Sequence, residues 1–376
     1  MRAFVFTDKA LERYAGQFVW LAIDTENGTN AAFLKKYPIN VWPTLLIVDP
    51  KKESVALRYS GGATVPQLKK LLADGTKLMH GKQSAADEAL SRADGLETAG
   101  KHAEAAIAYE AAFAAAPKDW SRSGRAAESL VFALALAHDQ ARCAARAAEL
   151  YPRVKGTYSA ANVAATGLGC AGDLKEDDPH RAPLLDTLEK ASRETLDDAK
   201  IPLSGDDRSG LYETLIGTRA SMKDEAGATT LRQEWATFLE AEAAKGKTAE
   251  QRAVYDPHRL GAYIALKQPE KAIPMLEQSE KDFPTDYNPP ARLASAYKAM
   301  GRYDDALAAN GRALQRAYGP RKIGILRNRS DLYALKGDKN TARKTMEEAL
   351  QYAESLPAEQ RSEALLASLR KKIATM

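Results

Sequence analysis

Apolar and polar positions follow two different periods along this chain. In the N-terminal part, apolar residues come in short runs that predict three β-strands, at residues 18–23, 41–49 and 55–60. In the remainder, they recur at the three- and four-residue spacing of amphipathic helices. The pattern therefore predicts an α/β segment over residues 1–80 and an all-α region over residues 84–376.

Helix signals connect the predicted strands. Asn30 is a candidate N-cap for a short helix over residues 31–37, which ends before a proline. Thr64 begins a second helix with Gln67 at the capping-box position, and Gly75 is the expected end of that helix. The predicted order is therefore strand, helix, strand, strand, helix.

This order and three sequence segments resemble the thioredoxin superfamily, particularly the thioredoxin-like domains of thiol-disulfide interchange proteins. The matching segments read VWLAIDTEN, FLKKYPINVWPTLLIVDP and LRYSGGATVPQLKKLL. The resemblance implies an α/β thioredoxin-like fold, a cis peptide bond before Pro43, and a substrate-binding groove flanked by Trp42 and Thr44. On the residues alone, the alternative is a core tryptophan followed by an ordinary proline at the start of a strand.

The Cys-x-x-Cys motif of that superfamily is absent, since the two cysteines are Cys143 and Cys170. Thiol-disulfide exchange requires an activated thiolate and a resolving thiol, so we predict no catalytic residue in the chain as it stands. Residues 1–15 resemble the helix that follows such a motif, and we expect Met1 to be an internal methionine preceded by a strand and the motif. The localisation is then periplasmic or secreted if an upstream signal peptide has been lost, and cytoplasmic if Met1 is the true start.

The helical region resembles an array of tetratricopeptide repeats. Four units share a turn, small residues in the following helix or a closing proline, at Gly100, Ala105, Tyr109, Ala112, Pro117, Ala272, Pro284, Gly301, Tyr303, Ala306, Ala313, Gly337, Ala342 and Ala349. Ala272, Ala306 and Ala342 are 34 and 36 residues apart, near the repeat period of about 34 residues. The resemblance implies an α-solenoid in which small residues let paired helices approach closely.

The repeat pattern is weaker in the middle of the array. Residues 126–152 form a less clear unit, and residues 158–244 hold two irregular units with polar insertions at 174–183 and 203–209. Residues 358–374 are expected to close the array with a final helix. We therefore expect the solenoid to be most regular near its C-terminal end.

The two cysteines fall on predicted helix ends that adjoin in a stack of such repeats. Cys143 lies near the start of the second helix of one pair, and Cys170 near the end of the first helix of the next pair. One prediction is a disulfide between neighbouring repeats, which would imply an oxidising compartment. The other is two independent buried cysteines that act as small apolar residues.

Composition and charge exclude several classes of function. The 54 basic and 50 acidic residues leave a net charge of +4 and are spread along the chain, so we predict no nucleic-acid partner. No apolar run approaches the about 20 residues that span a bilayer. No metal-binding spacing or cofactor motif is found around His80, His102, His138, His180 and His258. We therefore expect no metal, no cofactor and no membrane span.

Three functions remain open on the sequence. The first is a thiol-disulfide oxidoreductase, active only in a longer form with an upstream Cys-x-x-Cys, whose solenoid presents protein clients. The second is a non-enzymatic scaffold in which the thioredoxin-like segment is structural. The third is a solenoid that only assembles other proteins. All three bind protein or peptide clients through the helical surface.

Overall fold

The computed structural model describes residues 1–39, 41–81 and 83–376. Within these residues the chain is mostly helical, and the strands form one two-stranded antiparallel sheet. Contacts divide the chain into two compact units: the first comprises residues 1–18 and 38–235, and the second comprises residues 19–37 and 236–376.

The helices and strands follow one another as α1 (Ala31–Lys36), β1 (Thr44–Asp49), β2 (Ser54–Ser60), α2 (Val65–His80), α3 (Ala85–Thr98), α4 (His102–Ala115), α5 (Ser123–Leu136), α6 (Gln140–Val154), α7 (Ser159–Gly172), α8 (Arg181–Asp197), α9 (Gly205–Ser221), α10 (Glu225–Ala244), α11 (Ala249–Ala253), α12 (Asp256–Ala265), α13 (Ile273–Asp282), α14 (Asn288–Ala299), α15 (Tyr303–Arg316), α16 (Arg321–Leu335), α17 (Lys339–Ser355) and α18 (Glu363–Ala374). The two predicted strands of the hairpin and the two predicted N-terminal helices are thus present. The division between the units falls inside α10.

The hairpin and α2 form a small apolar core in the first unit. Leu57 and Tyr59 of β2 are buried with the leucine stripe of α2. Helix α2 begins with the predicted capping box of Thr64 and Gln67 but passes through Gly75, so the predicted end of this helix is wrong. A Cβ atom at Gly75 would overlap the side chain of Ile47 on β1, so this glycine permits close packing instead of ending the helix.

The predicted strand at residues 18–23 is wrong. These residues have no strand assignment, and Val19 and Leu21 are 88% and 71% exposed. An apolar run becomes a strand only where a neighbour supplies backbone partners, and no described strand pairs with this run. With two strands in the described residues, the structure gives no support for a thioredoxin-like domain.

One tight turn closes six of the described helix pairs. Each turn has one residue in the left-handed region, namely Gly100, His138, Lys223, Lys267, Gly301 and Gly337. The N–H of the next residue returns to a carbonyl near the end of the first helix, as from Arg302 to Tyr297 at 2.9 Å. Five positions after the left-handed residue, each pair has a small residue with 0% exposure, namely Ala105, Cys143, Ala228, Ala272, Ala306 and Ala342. This arrangement confirms a helical repeat architecture.

The irregular parts agree only in part with the sequence predictions. The polar insertion near residue 174 is the connection between α7 and α8. The insertion predicted at residues 203–209 is wrong, because Ser204 and Asp207 form a capping box that begins α9. The predicted closing helix is α18, with Leu366 and Leu369 buried.

The search for membrane-spanning segments covers the described residues. None of the helices there combines the length and apolar character needed to cross a bilayer.

Candidate functional site

A cavity of about 140 Å³ lies in the first unit, between the hairpin and the helices that follow it. The segments around it are the end of β2, three first helices of successive pairs (α3, α5 and α7), and α4. The lining residues are Val41, Arg58, Tyr59, Ser60, Gly61, Glu97, Tyr109, Glu128, Ser129, Phe132, Asn162 and Thr166. The lining therefore combines aromatic rings with charged and hydrogen-bonding groups.

A buried ion pair fixes one side of the cavity. Asp94 of α3, whose side chain is 0% exposed, accepts a 2.7 Å hydrogen bond from Nη1 of Arg125 on α5. The same carboxylate accepts the backbone N–H of Arg58 at 3.2 Å and the hydroxyl of Tyr109 at 2.9 Å. A buried carboxylate needs such partners, so this network determines where β2 lies against the first helix pair.

The network also changes the protonation of its members. Burial lowers the pKa of Arg125, but the charge of Asp94 and its hydrogen bond outweigh burial and raise this pKa overall. Burial and the Asp94 charge raise the pKa of Tyr109 well above its usual value. Arg125 therefore stays a cation and Tyr109 a neutral donor throughout the physiological pH range.

A second buried carboxylate, Glu128 of α5, joins three elements. It accepts hydrogen bonds from Tyr59 Oη of β2 at 3.2 Å and from Asn162 Nδ2 of α7 at 2.8 Å, together with the hydroxyl of Ser159. Gln67 Nε2 in turn donates to the hydroxyl of Tyr59 at 3.3 Å. Burial raises the pKa of Glu128, although its three donors oppose that shift.

A third network joins helix α2 to the first pairs below the cavity. Arg122 donates from Nε to Asp74 at 3.2 Å and from Nη1 to Asp87, which also accepts Trp120 Nε1 at 3.1 Å. Burial would raise the pKa of Asp87, but these donors and Ser84 lower it to about 2. The walls of the cavity are thus fixed by paired charges before any ligand enters.

The predicted substrate-binding residues lie next to this cavity. The Trp42–Pro43 peptide bond is cis, and the carbonyl of Pro43 accepts the N–H of Gly61, a lining residue, at 2.8 Å. Thr44 Oγ1 donates to the carbonyl of Val41, another lining residue, at 2.7 Å. Trp42 is 58% exposed. None of the three predicted residues lines the cavity itself, although the backbone of this segment forms its edge.

The two cysteines are joined by a disulfide bond that connects α6 to α7, with a Cα–Cα distance of 6.0 Å. Both are buried, and the Sγ atom of Cys143 lies 3.9 Å from the carbonyl oxygen of Thr166. Helix α7 supplies Asn162 and Thr166 to the cavity. The disulfide therefore holds a helix that lines the candidate site.

Sequence reasoning did not identify the charged residues of this site. Asp94 and Glu97 are three positions apart on α3, and Arg125 and Glu128 are three positions apart on α5. Each pair lies on one helical face and is buried. The signal that could have found them is charge of both signs on the apolar stripe of two successive helices. In the described residues, no group of three metal-ligating side chains could hold a metal ion.

Comparisons with known proteins find one similarity. A tetratricopeptide repeat model matches residues 263–321, a range within the second unit that contains α13, α14 and α15. No curated protein matches the chain. This repeat suggests a protein-binding scaffold, and the helix pairs of the structure are consistent with a helical solenoid.

Proposed function

We propose that this chain is a non-enzymatic scaffold that binds an extended segment of a partner protein at the first unit. One side chain of the partner enters the cavity, and its backbone passes along the rim formed by Trp42, Pro43 and Thr44. The observation that carries this proposal is the cavity itself, lined jointly by the hairpin and by the first helices of three successive pairs.

The size and chemistry of the cavity support a side chain as its occupant. Its volume of about 140 Å³ is close to the about 150 Å³ that holds one benzene molecule. Phe132, Tyr59 and Tyr109 offer ring surface, while Ser129 and Thr166 bring hydroxyl groups. An aromatic or branched side chain with a polar end suits this lining, because buried polar groups favour a partner that satisfies them.

The paired charges around the cavity favour binding without large rearrangement. Arg125, Asp94 and Glu128 are held by elements from both the hairpin and the helix pairs. A site fixed in advance loses less conformational entropy when a ligand binds. We propose that residues 84–376 form the repeat array and that residues 1–80 form an accessory segment that completes its binding site.

Filling the cavity from within tests the proposal. Peptides are selected from a random display library on the full chain, and their affinities are measured by fluorescence anisotropy. The variant S129W, which places an indole ring at a lining position of α5, is expected to weaken binding of the selected peptides at least about ten-fold.

A matched variant separates this effect from general damage. Ser221 is an exposed residue at the end of α9 in the same unit, and S221W should leave the affinities unchanged. Equal binding to S129W and to the unaltered chain, or failure to select any peptide, would refute the proposal.

Thiol-disulfide exchange is not part of this proposal. Both cysteines of the sequence are joined to each other, and the comparisons support the repeat part of the chain and not a thioredoxin-like part. The scaffold hypothesis is therefore better supported than the oxidoreductase hypothesis.

A further inference from the structure

The second unit holds an acidic turn of its own chain, residues 24–26, against the loops of its C-terminal helix pairs. Glu26 accepts hydrogen bonds from the hydroxyl of Tyr287 at 3.0 and 3.2 Å and from Nε of Arg321 at 2.7 Å. Asp24 accepts the hydroxyl of Tyr318 at 2.8 Å. Three side chains from two successive inter-pair loops thus converge on two carboxylates, and we call these three the tyrosine–arginine site.

The site is complementary to carboxylates. The rings of Tyr287 and Tyr318 meet edge to face, with centroids 6.4 Å apart. The nearby Asp286 is engaged by Asn288, which donates to it at 2.8 Å from its backbone and side chain. Burial and the charge of Glu26 raise the pKa of Tyr287, so its hydroxyl remains a donor. The site therefore presents two neutral donors and one cation.

The path of the turn's backbone is also built into the unit. Gln360 Nε2 donates to the carbonyl oxygen of Thr25 at 3.2 Å. Gly319 has a φ of +56°, and a Cβ atom there would overlap the backbone carbonyl of Glu26. A residue with a side chain at position 319 would exclude the turn, so the groove fits a passing peptide backbone as well as its carboxylates.

The turn is held loosely enough to exchange. Arg321 is 62% exposed in its pair with Glu26, and Tyr318 is 47% exposed. Exposed ion pairs contribute only about 0–1 kcal/mol each. The turn also keeps its own shape, because Asp24 Oδ1 accepts the N–H of Glu26 at 2.9 Å and Asn30 Nδ2 donates to the carbonyl of Asp24 at 2.8 Å.

We propose that the tyrosine–arginine site is a second binding site, for an acidic Asp-x-Glu segment of a partner protein, and that residues 24–26 occupy it in competition with that partner. The site is independent of the cavity of the first unit, since it uses residues of the second unit alone. Self-occupancy lowers the apparent affinity for the partner by the fraction of molecules in which the site is free.

The test uses the full chain and a fluorescent peptide with the sequence of residues 19–30 as the acidic probe. The variant D24N/E26Q weakens the internal competitor, so the probe should bind it at least about ten-fold more tightly than it binds the unaltered chain. Adding R321Q to that variant should abolish the gain. Adding R343Q, which alters an exposed arginine on α17, should leave the gain unchanged.

A control peptide and a folding measurement complete the test. The same peptide carrying D24N and E26Q should not bind any of the proteins, and circular dichroism should show equal helix content in all variants. Equal binding of the probe to the unaltered chain and to D24N/E26Q, or binding that R321Q leaves intact, would overturn the proposal.

Discussion

The two units bury different kinds of polar residues, although both are built from helix pairs. Among the described residues, the buried charged side chains of the first unit are Arg58, Asp87, Asp94, Glu97, Arg122, Arg125 and Glu128. In the second unit, the buried polar side chains are Asp256, Ser279, Asn310, Ser330 and Thr345. The repeat model matches the second unit, whereas the cavity lies in the first.

This difference shows where the repeat pattern has been altered and what accompanies the change. Buried ion pairs seldom stabilise a protein more than apolar residues of the same size would, yet breaking one is costly. In the first unit they join the hairpin to the helix pairs and form the walls of a cavity. We infer that the charges of the first unit serve a binding site, while the small residues of the second unit serve regular packing.

The largest expected effect comes from breaking the central pair of the first unit. D94A leaves Arg125 buried without its carboxylate and should lower the free energy of unfolding by about 3–5 kcal/mol. The matched change in the second unit is D304A, since Asp304 is 85% exposed in its pair with Lys336, and it should cost less than about 1 kcal/mol. Urea denaturation followed by circular dichroism measures both, and similar losses would remove the distinction between the units.

The next effect concerns the residue at which α6 contacts α7. Cys143 occupies the position that Ala306 fills in the second unit, and the bond to Cys170 spans 27 residues of sequence. The variant C143A/C170A should lower the free energy of unfolding by about 2–4 kcal/mol, because the unfolded chain gains conformational freedom. A reducing agent should destabilise the unaltered chain by a similar amount and leave the variant unaffected; a reductant effect on the variant would contradict this assignment.

Opposite changes in stability are expected at the left-handed turn position. His138 has a φ of +58° and Gly301 a φ of +73°, a region that costs a residue with a side chain about 1–2 kcal/mol. H138G should therefore stabilise the first unit, and G301A should destabilise the second, each by about 1 kcal/mol. A thermal denaturation midpoint that moves in the same direction for both variants would argue against a backbone cause.

The smallest effect is a difference in pH dependence. Burial raises the pKa of Glu128, so its contribution to stability is greatest at low pH and is lost as the pH rises through that raised value. A hydrogen bond from Arg312 lowers the pKa of Glu280 on α13, so its contribution is present at higher pH and is lost as the pH falls through the lowered value.

Denaturation between about pH 3 and pH 7, on either side of the ordinary glutamate pKa, measures this difference. Relative to the unaltered chain, E128Q should become less destabilising as the pH rises, and E280Q should become more destabilising. Parallel curves for the two variants would show that the two carboxylates do not differ in this way.

The repeat architecture was predictable where glycine marks the turn. Gly100, Gly301 and Gly337 and the alanines that follow them led to correct helix pairs. The unit at residues 126–152 was less clear because His138 takes the left-handed conformation in place of glycine. Such a substitution leaves the turn intact at a modest cost in free energy, but it removes the signal from the sequence.

The N-terminal part was predictable only in its local elements. The two strands of the hairpin follow from β-forming runs separated by a turn, and α2 follows from its capping box. Residues 18–23 show the limit of this reasoning, since an apolar run does not state whether a partner strand will be present. The expected long helix at residues 1–15 likewise appears as a short 3₁₀ helix, Lys9–Tyr14.

By itself, the sequence determined the helical repeats, the hairpin and the closing helix, because turn residues, caps and apolar periods act over a few positions along the chain. Only the tertiary structure decided that Asp94 meets Arg125, that Glu128 meets Tyr59, and that Glu26 lies on Arg321. These contacts join residues far apart in sequence, and a charged residue on a helix shows its partner only when the surrounding elements have packed and excluded water.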